Sequence, residues 1–156
     1  MLGALLPVLK LELEGAVALS CHIFTIEKFL ANGEHDKFKT RIVAHGNKQD
    51  ILLYPDRSSP TVSMQAIMAC LAIAAYNNNL KLAKINVKGA FIQTEMKGRP
   101  VYIRCNKKLM QLITEVIPGI RRYVCQDGTL HCRLLKALYG CVQASKLWYE
   151  KLIGFL

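Results

Sequence analysis

The chain has 156 residues, 52% of them hydrophobic and 21% charged, with a net charge of +10. That apolar fraction excludes a disordered tail, and the length suffices for one domain or a large part of one. No stretch reaches the roughly 18 to 20 consecutive apolar residues that a membrane-spanning helix requires.

The apolar run at 1–9 lacks a basic leader and soon meets Lys10, Glu12 and Glu14, unlike a secretory signal. A non-secreted, cytosolic or nuclear protein is expected. The six cysteines at 21, 70, 105, 125, 132 and 141 are irregularly spaced, which favours reduced thiols in that setting. Residues 1–20 carry no period, turn signal or motif that assigns them.

From His22 the pattern sharpens. Ile23 to Phe29 and Phe38 to Ala44 are β-like runs on either side of Asn32-Gly33, a dipeptide suited to a tight turn, and predict a hairpin. Strand alternation places Lys37, Lys39 and Arg41 on one face and Phe38, Thr40, Ile42 and Ala44 on the other. Three cations on one face suit either a solvated edge or a phosphate-binding surface.

Apolar positions 64, 67, 68, 71, 72 and 75 follow a helical stripe, with Ser63 or Thr61 placed to cap it and Asn77 to Asn79 suited to its end. Leu80 to Ile92 reads as a buried strand that breaks near Gly89, and Val101 to Cys105 as a short strand. Asn106 caps a predicted helix through Ile117, which Pro118-Gly119 stops. Tyr123 to Cys125 and Leu130 to Leu134 flank the turn signal Asp127-Gly128, predicting a second hairpin. A last helix starts near Gln143, with Ala144, Leu147, Trp148, Leu152 and Phe155 on one side.

Charge is unevenly distributed. Between Lys81 and Lys108 lie eight cations and a single acid, Glu95, and a local positive field of this kind favours nucleic acid as the partner class. Cys125, His131 and Cys132 lack the paired short spacing of a zinc site. His22, His35 and His45 stand near no nucleophile that sequence alone exposes.

Four segments occur in the order found in one family: Lys39-Thr40-Arg41-Ile42-Val43-Ala44-His45-Gly46, Ser59-Pro60-Thr61-Val62, Ile85-Asn86-Val87-Lys88-Gly89-Ala90-Phe91, and Leu135 through Trp148 with Leu138-Tyr139-Gly140 and Gln143. From about His22 to Leu156 the chain resembles the reverse transcriptase of copia-type retrotransposons. The resemblance implies an α+β fold: the fingers hairpin and helices of a right-hand polymerase joined to the start of an antiparallel palm sheet. It divides the chain into an unassigned segment at 1–20 and an incomplete reverse transcriptase domain at 21–156.

The resemblance also implies roles. Lys39 and Arg41 meet the triphosphate of an incoming deoxynucleotide, Gly89 and Ala90 offer backbone N–H groups to it, and Phe91 acts as the gate against a ribose 2′-OH. Tyr139, Gly140 and Gln143 position template and nucleotide, although Ser145 stands where members of the family often have proline. RNA or DNA primer-template and deoxynucleotides are the implied partners, without a membrane, and Mg2+ is the implied cofactor.

Asn86 occupies the position of the family's metal-binding aspartate. Two divalent ions a few ångströms apart need anionic oxygens to offset their repulsion, and an amide brings no charge. The family's paired aspartates should follow beyond Leu156, and no Asp-Asp pair occurs in this chain. Asp36, Asp50, Asp56 and Asp127 fall in predicted loops or turns. The expectation is a fragment of a copia-type polyprotein, catalytically inactive as written and binding no metal stably. A nucleic-acid-binding remnant without enzymatic activity is the alternative.

Overall fold

The computed structural model describes residues 2–13, 15–77 and 79–156. Five strands form one sheet: β1 (Leu5–Val8), β2 (Leu19–Phe29), β3 (His35–Ala44), β4 (Tyr102–Cys105) and β5 (Leu130–Leu134), in the spatial order β1-β5-β4-β2-β3. Among the described residues three α-helices accompany them: α1 (Met64–Tyr76), α2 (Lys107–Val116) and α3 (Ala144–Ile153).

The expected first hairpin is present. β2 and β3 pair antiparallel from Cys21↔Ala44 outward, with a register irregularity between Lys28 and Phe29. Gly33 takes φ +87° at the tip, a left-handed conformation that glycine adopts without a Cβ penalty. Asn32 stabilises the turn by accepting from the Glu34 N–H at 3.1 Å. Only the base of the hairpin joins the core, where Cys21, Ile42 and Ala44 are buried; Phe24, Phe29 and Phe38 farther out are exposed.

Alternation along β4 and β5 builds the rest of that core. Ile103, Cys105, Leu130 and Cys132 point inward and are essentially inaccessible, packed with Leu109 of α2 and with Ala137, Leu138, Cys141 and Ala144 before and within α3. All six cysteines are free thiols. Hydrogen bonding to Cys132 and Cys21, then burial, pushes the Cys105 thiol up, so it stays protonated.

Three expectations need correction. The sheet is mixed rather than antiparallel, because β2 and β4 pair in parallel at Leu19↔Ile103 and Ser20↔Arg104. The long connection from β3 to β4 leaves room for the crossover that parallel pairing demands. Leu80 to Ile92 forms no strand: no neighbour in the sheet supplies partners, Leu82 and Ile85 are exposed, and a single 3-10 turn at Phe91–Gln93 is its only helical element. The Tyr123 to Cys125 strand is reduced to one bridge, Val124↔Leu130, because Pro118–Tyr123 winds into a 3-10 turn; the Asp127-Gly128 turn itself forms, with Gly128 at φ +75°.

The segment that sequence left unassigned contributes β1, which pairs with β5 from Leu5↔Leu134 to Val8↔His131 and covers that edge. Helix α1 forms where expected and Ser63 caps it by accepting from the Ala66 N–H at 3.2 Å. It is apolar on nearly every side, yet none of its residues is buried. Among the described residues, no helix is long and apolar enough to cross a membrane.

Helix α2 differs from α1 in being docked. Asn106 accepts from the Leu109 N–H at 2.9 Å, and Leu109 is buried. Asn106→Ala should therefore lower global stability by about 1 kcal/mol in urea unfolding. Ser63→Ala should leave the global midpoint unchanged, since α1 contributes no buried side chain to the cooperative unit.

Candidate nucleotide and nucleic-acid interface

The end of β3 is fastened to the loop that precedes α3. Val43 bridges Tyr139 in parallel, and the Ala44 N–H donates to the Tyr139 carbonyl at 2.8 Å. At this crossing the backbones nearly touch: a Cβ on Gly46 would stand 1.9 Å from the Gly140 carbonyl oxygen, and one on Gly140 would stand 2.0 Å from that of Ala44. Gly140 also adopts φ +89°. Both glycines are required here for space, and Gly140 for conformation as well.

Polar side chains hold the same crossing. The His45 N–H donates to the Ser20 carbonyl at 2.9 Å, while its Nδ1 lies 2.6 Å from Ser20 Oγ. His45 Nε2 lies 3.0 Å from His22 Nδ1, with the two rings stacked. Gln49, buried, accepts from the Val142 N–H at 2.9 Å and donates to Gln143 Oε1 at 3.1 Å. Gln143 in turn donates to Met96 Sδ at 3.4 Å. Buried amides are thus paired, which is what makes their burial affordable.

On this base sits a cationic and aromatic cluster. The Arg41 guanidinium carbon lies 5.5 Å from the centroid of the Tyr139 ring, within range of a cation–π contact. Tyr139 and Phe91 follow, with centroids 4.9 Å apart and rings inclined at 56°. Phe91 is delivered by the turn after Gly89, which takes φ +62°. The Ala90 carbonyl accepts from Thr94 Oγ1 at 3.2 Å, and Thr94 is buried.

Of the residues singled out in the sequence, Arg41, Phe91, Tyr139, Gly140 and Gln143 come together, with Gly89 and Ala90 alongside. Lys39 shares the face of Arg41 two residues farther along the strand and is exposed. Asn86 is exposed in a stretch without regular structure. Among the described residues, no group of three or more His, Cys, Asp or Glu side chains gathers to hold a metal ion. Asp50 caps a short turn, and Asp56 pairs with Lys146. That contact holds the Asp56 carboxyl below its usual range and the Lys146 ammonium above its own.

Sequence reasoning missed Gln49, Met96 and the Ser20–His45–His22 chain. Gln49 carries no periodic or motif signal, and its value lies in contacts to residues more than 90 positions away.

A family profile described as reverse transcriptase (RNA-dependent DNA polymerase) matches residues 20–156. The chain belongs to that family. Its similarity lies with Pol polyproteins of copia-type transposons. It is 29% identical over 140 residues, 88% of this chain, to the retrovirus-related Pol polyprotein from transposon RE2 of Arabidopsis thaliana. It is 27% identical over the same length to that from transposon RE1 of Arabidopsis thaliana, and 27% identical over 121 residues, 77% of this chain, to that from transposon TNT 1-94 of Nicotiana tabacum. The matched region spans about 8% of each relative, so the chain corresponds to a fragment of such a polyprotein. No solved structure matches it.

The glycine crossing supplies a direct test. Gly46→Ala and Gly140→Ala should each destabilise by more than ~2 kcal/mol, because the added methyl meets rigid backbone. Gly119→Ala, where nothing lies within 4 Å, should stay within about 0.5 kcal/mol. Thermal or urea unfolding of the three variants distinguishes them.

Proposed function

We propose that residues 21–156 are the fingers and front palm of a right-hand polymerase domain, and that this chain holds nucleic acid and nucleotide without joining them. The observation that carries this reading is the cluster of Arg41, Tyr139 and Phe91, seated on the crossing of Gly46 and Gly140 and continued by Lys39 along the same face. Arginine and lysine on a strand present forked and compact cations to phosphate oxygens. The two aromatic rings beside them offer faces for a base or sugar. In this reading Lys39 and Arg41 take the triphosphate, Gly89 and Ala90 approach it through backbone, Phe91 bounds the sugar, and Tyr139, Gly140 and Gln143 position the template strand.

The donor set does not fit a two-metal centre. Asn86 is neutral, exposed and far in character from a bridging carboxylate, and its neighbours Lys81, Lys84 and Lys88 are cations. A divalent ion there would meet repulsion rather than neutralisation. The second reading, a nucleic-acid-binding remnant without catalysis, is favoured by the same fact: the basic face is present while the metal-binding carboxylate is not.

Duplex binding should show weak sequence preference and a steep loss with salt, since phosphate contacts release counterions. Reversing both Lys39 and Arg41 to Asp should reduce the salt slope by about 2 in fluorescence anisotropy. Reversing Arg121 and Arg122, on a turn toward the opposite edge of the sheet, should change it little. Equal losses from the two pairs would remove the assignment of this face.

Primer extension should be undetectable with magnesium or manganese, and Asn86→Asp alone should not restore it, because one carboxylate does not complete a site that needs several. Metal-dependent synthesis by the unaltered chain would contradict the proposal. Extension by Asn86→Asp joined to a palm segment with paired aspartates would favour the polymerase reading over the remnant.

A further inference from the structure

A row of directly paired residues crosses the outer face of the sheet. Val8 of β1 stands opposite His131 of β5, His131 opposite Arg104 of β4, and Arg104 opposite Ser20 of β2. Residues opposite one another on neighbouring strands project to the same side. That side faces away from the core, because the residues that alternate with them, Ile103, Cys105, Leu130 and Cys132, are the ones packed inside.

The buried Leu13 and the exposed Val17 give this row an apolar side, and Lys48 lines it from the turn after β3. Together with Ala18, Ser20, Arg104 and His131 they line an open pocket of about 300 Å³. None of its described lining residues is acidic. We propose that Lys48, Arg104 and His131 form a second anion site, built to receive a phosphate group with a small organic substituent against the wall of Leu13 and Val17.

Three basic side chains from distant parts of the chain line the same pocket without a carboxylate among the described lining residues, a setting that favours an anion. A guanidinium fork, an ammonium and an imidazole together match the several acceptor oxygens of phosphate. His131 is itself 4% exposed, with Nδ1 at 3.5 Å from Cys125 Sγ. Burial holds its basicity down, followed by the charges of Lys10 and Arg104, against which Asp127 acts weakly in the other direction. A bound phosphate would reverse the local sign and favour the imidazolium.

The pocket includes none of Lys39, Arg41, Phe91 or Tyr139 of the proposed nucleotide face. The family match begins at residue 20, so the wall formed by Leu13 and Val17 lies outside it.

Inorganic phosphate titrated into the full chain, followed by calorimetry and by the His131 ring resonances, tests the proposal. Saturable binding at one site is expected, with the His131 titration midpoint raised by phosphate. Lys48→Gln and Arg104→Gln, both at exposed positions, should each weaken binding about tenfold while circular dichroism stays unchanged, and the double Asp variant at Lys39 and Arg41 should leave it intact. Oligonucleotides with a 5′-phosphate or a 5′-hydroxyl separate the sources. Preference for the phosphorylated strand assigns the pocket to strand ends; indifference, with phosphate binding retained, assigns it to small phosphomonoesters. Absence of saturable phosphate binding, or equal binding by the parent and both Gln variants, overturns the site.

Discussion

Ala44 and Tyr139 are joined by one backbone hydrogen bond, and the approach that permits it leaves no room for a Cβ at Gly46 or Gly140. Every feature of the candidate interface hangs from that crossing. It gives the hairpin a second attachment beside the short β2–β4 pairing, because β3 is held on one side by β2 and at its base by the loop before α3. It also sets the distance between Arg41 and the Tyr139 ring, since both leave backbone segments that the crossing has locked together. The paired amides of Gln49 and Gln143 then seal the underside, where an unmatched polar group would cost far more than the net worth of the bond it makes.

The hairpin beyond this anchor has little core of its own. Its exposed phenylalanines and its cations lie on two strands paired with each other from Cys21↔Ala44 to the tip, so the arm presents charge to a ligand from an ordered backbone. Only the hydrophobic residues near the base secure it, chiefly Cys21, Ile42 and Ala44. The arm's stability and the geometry of the candidate site therefore depend on the same few contacts, and a change at the glycine crossing affects both.

What could be read from the sequence was local chemistry. The Asn32-Gly33 turn, the Ser63 and Asn106 caps and the onset of α3 beside Gln143 each depend on residues within a few positions of one another, and each is in place. The strand expected at Leu80 to Ile92 depended on a partner, and apolar alternation cannot say whether a neighbouring strand exists to accept its N–H groups. The parallel pairing of β2 with β4 is likewise a property of topology, invisible in either strand alone. For the interface, ordered motifs pointed to Arg41, Phe91 and Tyr139, which meet in space. Gln49 went unnoticed because its partners are distant in sequence, and the bonding role of His45 because its partner Ser20 lies 25 residues away on β2.

Asn86 shows why a side chain's charge can matter more than its shape. Asparagine and aspartate occupy nearly the same volume, so either fits an exposed segment without regular structure. Its consequence is electrostatic: with Lys81, Lys84 and Lys88 on the same stretch, an aspartate would have been the one negative centre in a cationic run, and the amide leaves that run uniformly positive. Such a surface attracts phosphate and repels divalent metal, whereas phosphoryl transfer needs both partners at the same point. The neutral amide at position 86 thus bears on local charge, not on the fold that supports the proposed binding face.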